Sequence, residues 1–485
     1  MVKEKLLKVF CKATADRVMR KRCILASIIG LFACQFSLAQ NPVVQTSCTP
    51  DPAPYVYDDT VWLFADHDED TAHYFRMKDW QLYSTKDMVN YTYRGTPMTT
   101  ATFKWAKQGD NAWASQAIQR NGKWYWYVAA EDTVKHLHGI GVAVSNRPEG
   151  PYVDPINRPL VPGDWGFIDP SIFVDDDGQA YLFWGNNGLW YALLNDDMIS
   201  LKSDIIKVNT EDCTAFGPLV MKHDYQLNRK IPKTNFEEAP WVYKIGKTYY
   251  LEYAAGGVPE HWAYSTADNI NGPWTYRGRI MDESPNSFTI HGGSINYHGR
   301  DFMFYHCGRL PNGGGFRRST SVEEFKRNAD GSIPFIPITK EGVTKPVRNL
   351  DPFKRVEAET MADSYGLKTN RDAGTFHYLT EIDNGDWLKV RSVDFGEKKN
   401  MKKLKLRLRS MKGGTIEFRT SPLASLSVAP SSGKLIASVK VKSTGNKWKT
   451  LTTRLVNVPV GIKDLYVTFK GEGGNLLDFD WWVIL

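Results

Sequence analysis

The chain has 485 residues, 13% of them aromatic, and a formal net charge of +7 at neutral pH. Eight lysines or arginines and two carboxylates lie in the first 39 residues, a net of +6, so only about +1 remains for the rest of the chain. This nearly neutral remainder excludes an argument from charge for a nucleic-acid partner. On a prior of about 100 to 200 residues per domain, the length predicts two or three domains.

The first 39 residues contain the pattern of a secretory signal peptide. A basic head at Arg20–Arg22 precedes an apolar stretch and then small residues that end at Ala39. We therefore expect cleavage after Ala39 and a secreted or periplasmic protein. A surface lipoprotein attached through Cys34 is the less favoured alternative, because Phe32 is a poor fit to that motif. No later segment is long and apolar enough to predict a membrane span.

Residues 40–340 repeat one phrase, in which a turn leads into a short aromatic strand and then into a turn with Ser or Asn. The predicted aromatic strands are Val61–Ala65, Trp124–Val128, Ala180–Trp184, Tyr249–Leu251 and Phe302–Tyr305. Short strands that recur every 50 to 70 residues, roughly, are typical of propeller blades. We therefore predict a five-bladed β-propeller over residues 40–340, with an ordinary antiparallel sandwich as the alternative.

The repeat ends in a stretch with Pro and Lys, and residues 341–352 are predicted to be a linker. The remainder, residues 353–485, contains alternating strands such as Leu404–Arg409, Thr415–Arg419 and Leu465–Lys470. Strands of this kind separated by Gly, Asn and Ser turns indicate a β-sandwich of ordinary domain size, here a jelly-roll. The predicted fold class is all-β, with a propeller followed by a sandwich.

Three carboxylates stand at the starts of predicted blades. Asp51, Asp169 and Glu238 are each followed by proline, directly or after one small residue. In the segment Thr49–Tyr55, which runs directly into a predicted strand over Val56–Ala65, three prolines stiffen the chain, and we expect extended geometry at Asp51. If the blades are equivalent, these side chains converge at one end of the channel, where mutual repulsion raises at least one pKa. One protonated and one ionised carboxyl group are what hydrolysis of a glycosidic bond requires.

Several ordered motifs carry a family resemblance. The phrases Thr49–Pro54, His67–Asp70, Ile168–Ser171, Asp175–Gly185, Glu238–Trp241 and Leu310–Arg318 are similar to those of glycoside hydrolase family 43, especially its arabinoxylan arabinofuranohydrolases. The resemblance implies a five-bladed propeller with an inverting mechanism. It assigns Asp51 as general base and Glu238 as general acid. It assigns Asp169 as the carboxylate that orients substrate and keeps the pKa of the acid raised.

Other roles follow from the same resemblance. His291 matches a histidine near the channel axis that is often beside a bound calcium ion, and Arg318 matches an arginine that reaches the sugar. Arg317 is the alternative to Arg318, as Glu237 is to Glu238, because only one of two adjacent strand residues faces the channel. Trp113 is the candidate aromatic contact for a sugar ring.

The C-terminal motifs resemble family 6 carbohydrate-binding modules. This resemblance implies a structural calcium ion held by Glu357, Glu359 and Asp480, and a sugar cleft formed by Tyr378 and Trp448. Carboxylate oxygens are suitable ligands for that hard cation. Packing against the propeller is the alternative role of the module.

The combined expectation is a secreted, monomeric enzyme that removes α-L-arabinofuranosyl side chains from arabinoxylan or a related plant cell-wall polysaccharide. No organic cofactor is expected. A β-xylosidase or a mixed xylosidase/arabinofuranosidase is the alternative within the same class. A carbohydrate-binding propeller without catalytic activity is the alternative from a different class.

Overall fold

The computed structural model describes residues 40–224, 227–372, 376–397, 402–421 and 432–485. In these ranges the regular structure is almost entirely β-strand; the helical pieces are Cys213–Phe216 and a 3-10 turn at Thr100–Thr102. The signal peptide predicted for residues 1–39 lies outside the described residues and stays a prediction. Among the described residues, no helix has the length and apolar character needed to span a bilayer.

Five antiparallel sheets follow one another in the N-terminal part of the chain. Their strands, in order, are Ala53–Tyr57, Thr60–Asp68, Met77–Thr85 and Tyr91–Thr99; Trp113–Arg120, Lys123–Glu131 and His138–Ser145; Ser171–Val174, Ala180–Trp184, Leu189–Leu194 and Ile206–Val208; Phe236–Ile245, Thr248–Ala255, His261–Ala267 and Thr275–Met281; and Gly292–Tyr297, Arg300–Cys307 and Ser319–Phe325. A separate two-stranded hairpin, Val220–Asp224 with Arg229–Lys233, lies between the third and fourth sheets in sequence.

The first strands of the five sheets contact one another in a closed cycle. Each touches the first strand of the next sheet, and the first strand of the fifth sheet touches that of the first. A ring of small sheets whose first strands surround a central channel is typical of a β-propeller.

All five aromatic strands predicted from the sequence are the second strands of their sheets. Their rings pack between neighbouring sheets; the Phe64 and Trp126 rings, for example, lie 4.7 Å apart at 78°. The strand predicted to run from Val56 is instead divided in two, because Asp58 and Asp59 both have positive φ and form a tight turn. The three carboxylates accordingly stand at the starts of the first strands, one strand earlier than the aromatic segments.

The N-terminal segment joins the last sheet to the first. The Val43 N–H donates to the carbonyl of Thr320, and the Asn41 side chain donates to Val322. These contacts cover the outer edge of strand Ser319–Phe325 before the chain enters the first sheet. The ring is therefore closed by hydrogen bonds as well as by side-chain packing.

The C-terminal part forms a six-stranded and a five-stranded antiparallel sheet around a separate apolar core. One sheet contains Lys368–Arg371, His377–Thr380, Lys403–Arg409, Lys449–Arg454 and Asp478–Ile484, and short strand Val356–Glu357 pairs with its last member. The other contains Asp363–Tyr365, Trp387–Asp394, Gly414–Ser421, Lys434–Val441 and Ile462–Lys470. This is the two-layered organisation that the alternating strands predicted.

The two parts of the chain are hydrogen-bonded to each other. Strand Thr360–Met361 pairs with Tyr91–Thr99 and extends the first propeller sheet. The Arg391 guanidinium donates to the carbonyls of Val343 and Thr344 at 2.9 and 2.7 Å, and also contacts Gln40. The segment predicted as a linker is thus held against both parts, as the packing role of the module requires.

Candidate active site

One cavity of about 230 Å³ contains the three carboxylates singled out from the sequence. Asp51 and Asp169 each lie two residues before the first strand of a sheet, and Glu238 lies within the first strand of the fourth sheet. Asp51 and Asp169 are buried, and Glu238 is half-buried. The structure therefore brings together acids separated by nearly 190 positions, while their catalytic roles remain predictions.

The backbone at these positions is left-handed. Asp51 has φ of 50°, Asp169 of 60° and Ala239 of 59°, and each of the three precedes a proline. The extended geometry predicted for Asp51 is therefore wrong. Proline disfavours the right-handed helical region for the residue before it, but the left-handed region is accessible to Asp, whose short side chain bonds locally. Such conformations persist where surrounding contacts determine them, as at functional sites.

Cationic and imidazole groups surround the Asp51 carboxylate. Its Oδ1 lies 3.2 Å from Arg318 Nη1, 3.0 Å from His306 Nδ1 and 3.6 Å from His291 Nδ1. Burial acts to raise the pKa of Asp51, but Arg318, followed by the two histidines, outweighs it and holds the pKa well below its usual range. Asp51 is therefore ionised at neutral pH, as a general base must be.

The environment of Glu238 has the opposite effect. Burial, then the neighbouring charges of Glu237 and Asp51, raises the pKa of Glu238 to about 7. Asn186 opposes this shift, because its Nδ2 donates a 2.5 Å hydrogen bond to Glu238 Oε2. A carboxyl group that keeps its proton near neutral pH is suited to act as a general acid.

Asp169 lies beside the base. His291 Nδ1 is 3.6 Å from Asp51 Oδ1 and 4.0 Å from Asp169 Oδ2, so these oxygens are no farther apart than the sum of the two distances. Burial, Glu238 and Asp51 raise the pKa of Asp169, whose Oδ2 accepts the Ala239 N–H. A protonated Asp169 has no charge with which to raise the pKa of Glu238. Glu237 and Asp51 are therefore the charges that favour the proton on Glu238.

Arg318 is the counter-ion of two acids. Its Nε and Nη2 donate to the two oxygens of buried Asp68 at 2.9 and 3.0 Å, and its Nη1 faces Asp51. Burial lowers the pKa of His291 to about 4, so this imidazole is neutral beside them. Arg317, the alternative in the sequence, donates to the Ala72 carbonyl and does not line the cavity.

Aromatic side chains form one wall of the cavity. Trp113, the predicted sugar contact, lies there with Phe75 and with the largely exposed Trp165. The Trp113 ring stacks on His138, with centroids 4.1 Å apart. This packing fixes the indole at the wall of the cavity.

Sequence reasoning missed four residues of this site: Phe75, Asn186, His306 and Asp68. The last lay in a motif that supported the resemblance, but nothing in the sequence pairs it with Arg318. Asn186 is in the turn Gly185–Gly188, and its partner Glu238 is 52 positions away. Only the closed ring of sheets brings these groups into contact.

The predicted calcium ligands of the C-terminal module meet arginines. Arg355 contacts Glu357 at 2.7 Å and Asp480 at 3.3 Å, and Arg407 also bonds Asp480. Within the described residues, Glu359 Oε2 is buried without a hydrogen-bond partner. Within the part of the chain that the structure describes, these three acids do not bring one oxygen each within 4.8 Å of one another, and arginines neutralise two of them, so the ion stays a prediction.

A second group that could hold a metal ion lies in the first propeller sheet. His67, Glu69 and Asp79 have donor atoms within 4.8 Å of one another. Each of these side chains is already engaged, however, since His67 Nδ1 lies 3.1 Å from Asp79 and Lys78 pairs with Glu69. Ion pairs within the protein therefore account for the arrangement.

The two predicted sugar-binding rings of the module do not face each other across an open slot. The Tyr378 and Trp448 rings meet edge to face at 5.2 Å and 70°. The Arg409 guanidinium lies 4.9 Å from the first ring centroid and 4.7 Å from the second. The space where a sugar ring would stack is thus taken by Arg409.

Glycoside hydrolases use one ionised and one protonated carboxyl group in the same cavity. Residues 39–333 match the profile described as Glycosyl hydrolases family 43, and residues 357–484 match Carbohydrate binding module (family 6). Because the first match covers more than half of the sequence, the chain belongs to glycosyl hydrolase family 43. The resemblance seen in the sequence is confirmed for both domains.

Relatives with known names cover most of the chain. It is 29% identical to the arabinoxylan arabinofuranohydrolase of Bacillus subtilis (strain 168), over 91% of each chain. The crystal structure of a family 43 arabinoxylan arabinofuranohydrolase from Bacillus subtilis with cellotetraose superimposes with a TM-score of 0.75 at 27% identity, covering 92% of this chain and 99% of that one. A xylosidase/arabinosidase of Bacteroides ovatus is 29% identical over 60% of this chain and 94% of its own length.

Proposed function

We propose that the protein is an inverting, exo-acting hydrolase that removes α-L-arabinofuranosyl side chains from arabinoxylan. The observation that carries the proposal is the pair Asp51 and Glu238, which line one cavity in opposite protonation states. A binding protein without catalysis has no need of such a pair. The similarity to the Bacillus subtilis arabinoxylan arabinofuranohydrolase supports this choice of substrate.

The reaction is a single displacement at the anomeric carbon. Glu238 gives its proton to the glycosidic oxygen as the bond to the anomeric carbon breaks. Asp51 takes a proton from a water molecule that attacks the same carbon from the opposite face. Room for this water requires the two carboxyl groups to stand about 6.5 to 9.5 Å apart. The products are a free sugar of inverted configuration and a xylan hydroxyl group. Proton exchange with solvent then removes the proton from Asp51 and returns one to Glu238.

The other side chains position the sugar and the acids. Asn186 holds one oxygen of Glu238, and Arg318 keeps Asp51 ionised. Asp169, with its raised pKa, is placed to hydrogen-bond a sugar hydroxyl. A cavity of about 230 Å³ suits a terminal pentose better than a stretch of continuous xylan.

Further parts of the proposal concern the whole chain. The five sheets are the five blades of one propeller over residues 40–340, and the contact cycle of their first strands supports this. The C-terminal sandwich is a jelly-roll over residues 353–485, and residues 341–352 connect the domains. Residues 1–39 direct secretion of a monomer, and calcium is bound by Glu357, Glu359 and Asp480.

A β-xylosidase, or a mixed activity, is the second candidate. The similarity to the Bacteroides ovatus xylosidase/arabinosidase favours it, and xylose and arabinose are pentoses of equal mass. Contacts at the cavity rim, rather than the acid pair, must separate the two substrates.

Product analysis on wheat arabinoxylan, linear xylan and arabinan tests the proposal. We expect arabinose from arabinoxylan, released with inverted anomeric configuration by proton NMR, and no activity in the Glu238→Gln variant. Xylose from linear xylan as the dominant product would establish the second candidate. Absence of turnover on all three polymers, with binding intact, would refute the hydrolase.

A further inference from the structure

A buried lysine from outside the five sheets reaches the strand that bears the acid. Lys222 lies in the hairpin strand Val220–Asp224, and its side chain is buried. Its Nζ donates to the Phe236 carbonyl at 2.8 Å and lies 2.5 Å from Glu237 Oε2. Because Glu237 is also buried, each of these charges depends on the other for compensation.

Glu237 and Glu238 are consecutive residues of one irregular strand segment. Adjacent strand side chains point in opposite directions, which directs Glu237 to Lys222 and Glu238 to the cavity. Strand pairing shifts register on both sides of Glu238, and such irregularities re-aim side chains. The Asn187 N–H donates to the Glu237 carbonyl at 2.6 Å, so Lys222 and the 185–188 turn hold the segment from two sides.

Without Lys222, the charge of Glu237 would stand uncompensated beside Glu238. The other charged or titratable groups that act on Glu238 or on its neighbours in the cavity are Asp51, Asp169, Glu260, His291, His306 and Arg318. Among these, Arg318 is engaged by Asp51 and Asp68. Lys222 is therefore the cation that directly neutralises Glu237.

We propose that Lys222 is a positioning residue for Glu238. By pairing with Glu237 and holding the Phe236 carbonyl, it keeps Glu237 turned away from the cavity and moderates the negative charge that Glu238 faces. The inference rests on the proposed hydrolase function, for which Glu238 is the acid. It gives the hairpin Val220–Lys233 a role in the chemistry although none of the hairpin residues that the structure describes lines the cavity.

The test compares pH profiles of kcat/KM in five variants. Loss of a nearby cation raises a carboxyl pKa, and loss of a nearby anion lowers it. The basic limb of the profile, where Glu238 loses its proton, should therefore move up by about one pH unit in Lys222→Met and down by about one pH unit in Glu237→Gln. The double variant should return to within about half a unit of wild type, and Lys222→Arg should keep the wild-type limb. Lys233→Met removes a cation of the same hairpin that pairs with Asp224, and it should leave the profile unchanged.

A second measurement separates the inference from the proposed activity. In chains labelled with ¹³C at glutamate carboxyl carbons, the Glu238 signal is the one that disappears in Glu238→Gln. Its titration midpoint should rise in Lys222→Met and fall in Glu237→Gln. Equal midpoints in wild type, Lys222→Met and Glu237→Gln would overturn the inference even in an inactive protein. Lower activity with an unmoved limb in both single variants would reduce Lys222 to a structural role and also overturn it. Shifted midpoints without any hydrolysis would instead refute the proposed function alone.

Discussion

Replacing Arg318 with methionine removes the counter-ion of two buried acids. The guanidinium lies 3.2 Å from Asp51 Oδ1, where two unit charges interact by about 5 kcal/mol at an effective dielectric constant of about 20. His306 and His291 remain in the variant, so the pKa of Asp51 should rise by about 1 to 3 units, the usual effect of an adjacent arginine. Since the base must be ionised, the acidic limb of kcat/KM should move to higher pH by that amount.

The same substitution leaves Asp68 buried and unpaired. Breaking a buried ion pair costs about 3 to 5 kcal/mol, so the melting temperature at pH 7 should fall by at least about 5 °C. Because the pKa of Asp51 is lower in the folded chain than in the unfolded chain, its ionised carboxylate stabilises the fold at pH values above the unfolded pKa of about 3.9. This stabilisation is lost as the pH falls through the pKa of the folded chain. In the variant this contribution becomes small, because the folded pKa approaches the unfolded one.

Initial rates on arabinoxylan between pH 3 and 8, together with thermal melts, measure both effects. Arg317→Met is the matched control, since this adjacent arginine contacts loop carbonyls and should leave the acidic limb in place. Arg318→Lys keeps a positive charge but loses the bidentate geometry, so it should shift the limb less than methionine does. An acidic limb in Arg318→Met that coincides with wild type would refute the assignment of Arg318 as the group that keeps Asp51 ionised.

Four further outcomes are expected. In the wild type, kcat/KM should decline as pH rises through about 7, where Glu238 loses its proton, and a rate that keeps rising to pH 9 would exclude Glu238 as the acid. Glu238→Gln should lower kcat by about 10²- to 10⁴-fold while polymer binding persists. Asn186→Ala removes a hydrogen bond that stabilises the Glu238 carboxylate, so its basic limb should move up by about one pH unit, and a downward shift would contradict that role. Arg391→Met removes the bonds to Val343 and Thr344 between the domains, which should lower the free energy of unfolding by about 1 to 3 kcal/mol in urea titrations, whereas an unchanged midpoint would make this contact dispensable. Trp448→Ala should bind insoluble xylan as the wild type does, because Arg409 already covers that ring, and a loss of binding would restore the cleft predicted from the sequence.

Much of the fold could be predicted because its signals are local. Each aromatic strand became the second strand of a sheet, since aromatic residues there pack between neighbouring sheets. The turn at Asn121 and Gly122 has positive φ at both residues, as the hairpin turn of an Asn-Gly pair requires. The division of the stretch Val56–Ala65 into two strands was not predicted, because two consecutive Asp residues indicate a tight turn less clearly than Asn-Gly does.

The sequence by itself determined which residue types stand at the starts of strands. Asp51, Asp169 and Glu238 were found because each carboxylate precedes a proline at the beginning of a repeated unit. Only the tertiary structure decided their protonation, since a pKa depends on burial and on charges that come from other sheets. Arg318 is such a charge for Asp51, and Lys222 of the hairpin pairs with Glu237 beside the acid; no sequence spacing reveals either contact.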